Sequence, residues 1–120
     1  MELLVAFCIL VVCHFLGDFV MQSDKDAKCK STSFKCLISH TSTYIAPFML
    51  VGICWFPFEL VTLFVLITFV AHTITDYFTS KLNSRLWKAG NMHNYFVALG
   101  FDQSLHYIQL FITYYFLLKS

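Results

Sequence analysis

The chain has 120 residues, of which 58% are hydrophobic and only 12% are charged, and its formal net charge is +1. A soluble domain carries about 25% charged residues because these cover its surface, so the composition excludes a soluble enzyme, a disordered segment and a secreted disulfide scaffold. The small net charge offers no basic surface, and we predict no nucleic-acid partner. The length allows one domain over residues 1–120. The surplus apolar surface predicts that the lipid bilayer surrounds the chain.

Four apolar segments follow one another along the chain, and we predict that each forms a transmembrane helix: residues 3–22, 36–56, 58–80 and 95–118. Each has about 20 residues or slightly more, which at about 1.5 Å per residue crosses the ~30 Å hydrocarbon layer. Helices satisfy their own backbone hydrogen bonds in that layer. The predicted fold class is therefore all-α, a polytopic membrane protein with an antiparallel bundle of four transmembrane helices.

Local features refine this arrangement. The first segment lacks the basic start and the cleavage pattern of a signal peptide, so we expect it to be retained. Pro47 lies inside the second segment and predicts a kink, because it leaves the Thr43 carbonyl without its helical partner. Leu86-Trp87-Lys88 predicts a short amphipathic stretch in the membrane interface. Four of the five cysteines lie in apolar runs and Cys29 in a polar loop, which indicates small apolar fillers and one exposed thiol.

The basic residues predict an orientation. Seven of the eight Lys and Arg residues lie in the two long connections, residues 23–35 and 81–94, and only Lys119 lies elsewhere. Loops rich in Lys and Arg stay on the cytoplasmic side of a membrane. We therefore expect a multi-pass protein of the inner (cytoplasmic) membrane, with both long connections in the cytoplasm and both termini on the non-cytoplasmic side.

Seven ionisable side chains lie within the apolar segments, where an Asp near mid-helix costs about 2.5–3.5 kcal/mol on insertion scales. Three pairs have i, i+4 spacing, which places both members on one helix face, about 6 Å apart along the axis. The pairs are His14 with Asp18, His72 with Asp76, and Asp102 with His106, and His40 is the seventh residue. Such residues normally face the interior of a bundle and mark a functional site.

The seven side chains also share a depth. Counted from the expected cytoplasmic ends, Asp18, His40 and Asp76 lie about 6–8 Å inside and the others about 12–13 Å or somewhat deeper. Since four antiparallel helices bring them into one layer, we predict a metal centre whose ligands are His14, Asp18, His40, His72, Asp76, Asp102 and His106. Zinc is expected first, with manganese or iron(II) as alternatives, and seven ligands fit one or two ions.

Other side chains receive simpler interpretations. Gln22 and Gln103 are expected to hydrogen-bond the ligands, with ordinary interhelical bonding as the alternative. His93 is expected at the surface of a polar loop. The seven ionisable residues could also serve as interhelical hydrogen-bonding groups or line a proton or cation pathway.

Three stretches carry a resemblance to a known family: residues 14–22 (HFLGDFVMQ), 72–76 (HTITD) and 100–106 (GFDQSLH). They resemble a family of small bacterial and phage membrane proteins known as domain of unknown function 3307, and the likeness covers essentially the whole chain. The resemblance implies a multi-helix inner-membrane protein and no particular activity. More loosely, the pattern is similar to integral-membrane metal-dependent hydrolases, whose His and Asp ligands lie on helices near the cytoplasmic face, which is an analogy of pattern only.

Metal-dependent hydrolysis of an amphiphilic or lipid-linked substrate is the leading functional hypothesis. A bound ion would lower the pKa of its water toward about 7, and Asp18, Asp76 or Asp102 would act as ligand or general base. A centre about 6–13 Å below the surface suits a phospholipid or lipid-linked phosphate, whose ester bond lies at that depth. Four basic residues could attract its anionic headgroup: Lys25, Lys28, Lys81 and Lys88.

Two alternatives come from other functional classes. The first is a small proton- or cation-coupled transporter or channel subunit that works as a homo-oligomer, because four helices enclose little volume. A transport site is expected near the membrane midplane, whereas the predicted centre lies off-centre. The second is a non-catalytic phage or bacterial membrane protein that binds a membrane partner.

Overall fold

The computed structural model describes residues 2–119, which are helical with short connections. Helix α1 spans Leu3–Phe15 and continues into a π-helical turn over Leu16–Val20. The remaining helices are α2 (Asp24–Cys29), α3 (Phe34–Tyr44), α4 (Ala46–Gly52), α5 (Phe58–Lys88) and α6 (Met92–Leu117). No strand occurs in this part of the chain, so the all-α prediction is confirmed. By length and composition, Leu3–Val20 and Phe58–Lys88 are long and apolar enough to cross a membrane.

The polar connection between the first two predicted segments folds into α2 and a turn. Ser23 Oγ accepts a hydrogen bond from the Asp26 N–H at 3.1 Å, and Ser33 Oγ accepts one from the Cys36 N–H at 3.3 Å. These serines satisfy the free N–H groups at the starts of α2 and α3. The turn between the two helices brings the Cα atoms of Cys29 and Cys36 to 5.8 Å, and a disulfide joins them. The prediction of a free Cys29 thiol is therefore wrong.

The second predicted segment is divided at Ile45, between α3 and α4. Pro47 lies in the first turn of α4, where a helix makes no use of the missing N–H. The distortion expected from Pro47 thus takes the form of a break between two helices. The break directs the chain from α3, which carries His40, into α4, which joins the apolar core through Phe48.

Helix α5 continues to Lys88 instead of ending near residue 80. The separate amphipathic stretch predicted at Leu86-Trp87-Lys88 is wrong, because these residues form the last turn of α5. Residues 81–88 contain neither Gly nor Pro, so nothing in their sequence ends the helix. The turn to α6 comes at Gly90, whose φ of 71° is readily adopted only by glycine.

The bundle has an apolar end and a polar end. The apolar end contains a buried core drawn mainly from α1, α4, the start of α5 and the last part of α6. Its residues are Ala6, Leu10, Cys13, Tyr44, Phe48, Val61, Phe64, Val65, Leu110, Tyr114 and Leu118. The polar end comprises α2 and the α5–α6 turn. Buried His and Asp side chains lie between the two ends, while apolar side chains such as Phe116 (81% exposed) and Leu4 (71% exposed) cover the outside.

Candidate metal centre

All seven predicted ligands are buried, with at most 5% of each residue exposed, and they converge on one region of the bundle. Five structural units contribute them: α1, the π-helical turn, α3, α5 and α6. His14 lies in the last turn of α1, Asp18 in the π-helical turn and His40 in α3. The two remaining pairs lie on α5 and α6 with one helical turn between partners: His72 with Asp76, and Asp102 with His106.

The π-helical turn brings Asp18 against α3 because Gly17 permits a close approach. A Cβ atom at Gly17 would lie 2.6 Å from the carbonyl oxygen of Tyr44, which is closer than any side chain tolerates. π-helical turns are rare and frequently occur at functional sites. Here the turn places the Asp18 carboxylate beside His40, which lies one turn before Tyr44 on the same helix.

Asp76 lies at the centre of the cluster. Its Oδ2 is 3.1 Å from the Nε2 atoms of both His40 and His72, and its Oδ1 is 3.2 Å from His106 Nε2. The Nε2 atoms of His40 and His72 are themselves 3.1 Å apart. Asp18 Oδ1 completes this group at 3.0 Å from His40 Nε2 and 3.7 Å from His72 Nε2. Two imidazoles and two carboxylates therefore point at one small volume.

The chemistry of this group fits a divalent ion. Asp18, His40, His72 and Asp76 each offer one ligand atom, and these atoms lie within 4.8 Å of one another. Ligand atoms about 2.0–2.1 Å from a tetrahedral ion are about 3.3 Å apart, close to the separations found here. Asp18 Oδ1 is buried, lies 3.0 Å from His40 Nε2, and makes no well-aligned hydrogen bond among residues 2–119. A cation would offset the cost of burying that oxygen.

A second group overlaps the first. Asp18, Asp102 and His106 also offer ligand atoms within 4.8 Å of one another, and His106 Nε2 lies 3.1 Å from Asp102 Oδ1. Asp18 is common to both groups. Each of these buried groups could hold a metal ion, and a carboxylate with two oxygens can contact two ions at once.

His14 lies beside these groups and belongs to neither. Its Nδ1 is 2.8 Å from the Tyr44 hydroxyl and its Nε2 is 2.6 Å from Gln103 Oε1, whereas the nearest Asp18 oxygen is 3.6 Å away. Both ring nitrogens thus have hydrogen-bond partners in the structure. The role of His14 as a metal ligand stays a prediction.

The two glutamines differ in their contacts. Gln103 Oε1 accepts a hydrogen bond from His14 Nε2, and Gln103 Nε2 donates to Asp18 (3.3 Å) and Asp102 (3.0 Å), so Gln103 links three predicted ligands. The side-chain oxygen of Gln22 is buried and has no partner among the described residues. His93 is exposed near the start of α6, as predicted.

Three residues that sequence reasoning did not single out also contact the cluster. Tyr44 stacks on His72, with ring centroids 3.8 Å apart, and the Thr79 hydroxyl donates to Asp102 Oδ1 at 2.6 Å. Lys30 Nζ lies 3.4 Å from Asp76 Oδ2. The i, i+4 spacing of Tyr44 from His40 could have revealed the tyrosine. Lys30 follows a six-residue helix and carries no comparable signal.

A cavity of about 420 Å³ extends from the cluster toward the polar end. Its inner wall includes the carboxylates of Asp18, Asp76 and Asp102. Its outer wall combines basic, amide, hydroxyl and aromatic groups: Lys28, Lys30, Asn83, Ser84, Trp87 and Tyr95. The cavity lies within the range of about 300–1,000 Å³ that is typical of ligand sites, and it gives a ligand access to the carboxylates.

The fold and the cluster define an all-α protein with a buried group of His and Asp side chains that could hold a metal ion. The chain belongs to the family described as "Protein of unknown function (DUF3307)", whose family model matches residues 6–120. The resemblance seen in the sequence is thereby confirmed at the level of the family. The looser likeness to metal-dependent hydrolases receives no support from these comparisons. No curated protein and no solved structure matches the chain.

Proposed function

We propose that the chain is a multi-pass membrane protein in which four segments cross the bilayer: α1 with its π-helical turn, α3 with α4, α5, and α6. The distribution of polarity supports this proposal. His40 and His72 are fully buried, whereas Phe116, Leu4 and Phe78 are between 66% and 81% exposed. An interior more polar than the exterior is unfavourable in water and is expected of a bundle whose outer surface contacts lipid.

The other two proposed spans, α3 with α4 and α6, are less apparent from length and composition for local reasons. Helices α3 and α4 have 11 and 7 residues, and only together do they reach membrane-spanning length. Helix α6 has 26 residues and would extend about 39 Å at 1.5 Å per residue, but Asp102, Gln103 and His106 lower its hydrophobicity. The positive-inside rule favours an inner-membrane orientation with both termini on the non-cytoplasmic side.

We further propose that the cluster binds a divalent metal, zinc first, with manganese or iron(II) as alternatives. One ion would be held by Asp18, His40, His72 and Asp76, and a second by Asp18, Asp102 and His106. The observation that carries this proposal is the buried Oδ1 of Asp18, a residue common to both sets, which makes no well-aligned hydrogen bond in the described part of the chain. Imidazole and carboxylate together suit these three ions.

We propose that the metal centre hydrolyses an amphiphilic substrate. A bound ion would lower the pKa of a water molecule toward about 7. Asp76 faces three imidazoles and is suited to act as a ligand. Asp102 lies on the cavity wall, where Thr79 and Gln103 fix its orientation. In a centre that holds only the first ion, it would accept the proton of the attacking water. The cavity approaches the cluster from the polar end, which favours a site served from one side over a transport pathway.

Metal analysis of the detergent-purified protein tests the proposal. We expect at least one ion per chain in the wild type and a loss of that ion in His72→Ala, because His72 Nε2 is within 3.1 Å of Asp76. Wild-type protein that holds no ion after incubation with zinc, manganese or iron(II) would contradict the proposed metal centre. Hydrolysis of phospholipid and lipid-linked phosphate substrates is then assayed in mixed micelles. A metal-loaded protein that is inactive toward both would contradict the proposed hydrolase activity.

A further inference from the structure

Lys30 is the basic side chain that reaches the His/Asp cluster. Its Nζ lies 3.4 Å from Asp76 Oδ2, and only 19% of its side chain is exposed. The backbone of Lys30 is held at the end of α2, because its N–H donates to the Asp26 carbonyl at 3.0 Å. Lys28, by comparison, also lines the cavity but is exposed.

Lys30 and a metal ion would share one carboxylate oxygen. Asp76 Oδ2 also lies 3.1 Å from His40 Nε2 and His72 Nε2, within the first group of ligand atoms. Two cations repel each other strongly at such short range in a buried site. An ion held by this group would therefore displace the Lys30 ammonium from Asp76 toward the cavity that Lys30 lines.

The cavity contains a further polar group that lacks a partner. Ser80 is 8% exposed, and its Oγ is buried without a hydrogen-bond partner in the described part of the chain. Ser80 lies on α5 one turn beyond Asp76, so both face the same side of that helix. Buried polar groups are costly unless a ligand satisfies them.

We propose that Lys30 and Ser80 form an anion site that binds the phosphoryl group of a substrate beside the metal centre. This inference rests on the proposed function and specifies its substrate as a phosphate ester. The three carboxylates of the inner wall would repel such an anion until a metal ion neutralises them. Metal binding should therefore precede phosphate binding, and each should strengthen the other.

Equilibrium binding to the detergent-solubilised full chain tests this site. The probes are phosphatidic acid, zwitterionic phosphatidylcholine and inorganic phosphate, each measured with and without added zinc. We expect phosphatidic acid to bind more tightly than phosphatidylcholine, and Lys30→Ala to weaken its binding about 10- to 100-fold, the range for a hydrogen bond to a charged group. Competition by inorganic phosphate would mean that the phosphoryl group alone is recognised; its failure to compete would mean that the lipid's other groups also contribute.

Two variants control for folding and for bulk charge. Lys30→Arg keeps the positive charge and should retain most of the binding. Lys35→Ala removes an exposed charge at the start of α3, away from the cavity, and should bind phosphatidic acid like the wild type. Equal binding of the two lipids by the wild type, or equal losses in Lys30→Ala and Lys35→Ala, would overturn the anion site.

Metal content measured on the same samples separates this inference from the proposed function. Protein that holds zinc but does not distinguish the two lipids would contradict the anion site and leave the metal centre intact. Protein that holds no metal, yet loses phosphatidic acid binding in Lys30→Ala and not in Lys35→Ala, would contradict the metal centre and the metal-first order of binding, and would support Lys30 as an anion-binding residue.

Discussion

The apolar end and the polar end of the bundle differ in what their buried atoms require. At the apolar end, side chains such as Phe48, Phe64 and Leu110 are buried against one another and need only close packing. Toward the polar end, the buried carboxylates of Asp18 and Asp76 meet imidazoles and a lysine. Packing cannot satisfy these charges. We therefore expect the apolar end to determine stability, and the His/Asp cluster next to the polar end to determine ligand binding.

The largest expected effect is the loss of metal in Asp76→Asn. Even residues that only hydrogen-bond a ligand change metal affinity about 10- to 100-fold, so we expect the loss of this central carboxylate to weaken affinity by more than about 100-fold. Titration of the purified protein with zinc measures the change.

Two controls locate this effect in the His/Asp cluster. Asp26→Asn alters a buried carboxylate outside the cluster, which accepts a hydrogen bond from Ser39, and should keep wild-type affinity for zinc. Phe64→Ala should lower thermal stability and leave the zinc content of the folded protein unchanged. Loss of zinc in either control would mean that the effect of Asp76→Asn is not specific to the cluster.

Substitutions at two glycines test whether the π-helical turn packs against α3. Gly17→Ala places a methyl group 2.6 Å from the Tyr44 carbonyl oxygen, whereas Gly100→Ala meets nothing within 4 Å. Overpacking of this kind costs about 1–3 kcal/mol, while alanine in an open helical position stabilises by about 0.5–1 kcal/mol relative to glycine. Chemical unfolding in detergent should therefore show opposite changes in the free energy of unfolding. Equal effects would mean that the π-helical turn does not pack against α3.

Tyr44→Phe should have a smaller effect, because it removes one hydroxyl and keeps the ring on His72. The hydroxyl lies 2.8 Å from His14 Nδ1, and the net contribution of such a hydrogen bond is about 0.5–1.5 kcal/mol. We expect a loss of stability in that range and a modest fall in zinc affinity. A fall as large as that of Asp76→Asn would instead make Tyr44 a direct participant in metal binding.

The smallest change tested is the redox state of Cys29 and Cys36, which reports the side of the membrane on which the 23–35 connection lies. The Cys29–Cys36 disulfide of the structure favours an oxidising compartment, whereas the positive-inside rule places the 23–35 connection in the reducing cytoplasm. The proposed orientation therefore requires that the pair be present as thiols in the cell. Blocking thiols before lysis, followed by mass spectrometry, should then find both cysteines modified. An intact disulfide in living cells would place this connection on the oxidising side and reverse the proposed orientation.

The sequence predicted the helices and the convergence of the cluster because both depend on local periodicity. His72 and Asp76 share a helix face through i, i+4 spacing, and matched depth on antiparallel helices was enough to bring His40 near them. The contacts of Lys30 and the Cys29–Cys36 bond depend on how a turn between short helices closes, which has no periodic signal. The extension of α5 to Lys88 was missed because its polar residues suggested a loop, although the Lys, Arg and Leu residues of this stretch are good helix formers.

In the proposed four-span arrangement, the hairpin of α5 and α6 has a consequence for membrane insertion. A short turn at Gly90 joins the two helices, so α6 would emerge during synthesis when the strongly apolar α5 is already available. The Thr79 hydroxyl of α5 lies 2.6 Å from the carboxylate of Asp102 on α6 and can shield it from acyl chains. Helix α6, too polar to partition readily alone, is therefore expected to enter the bilayer as the second limb of a pair, with its acidic face already turned toward its neighbour.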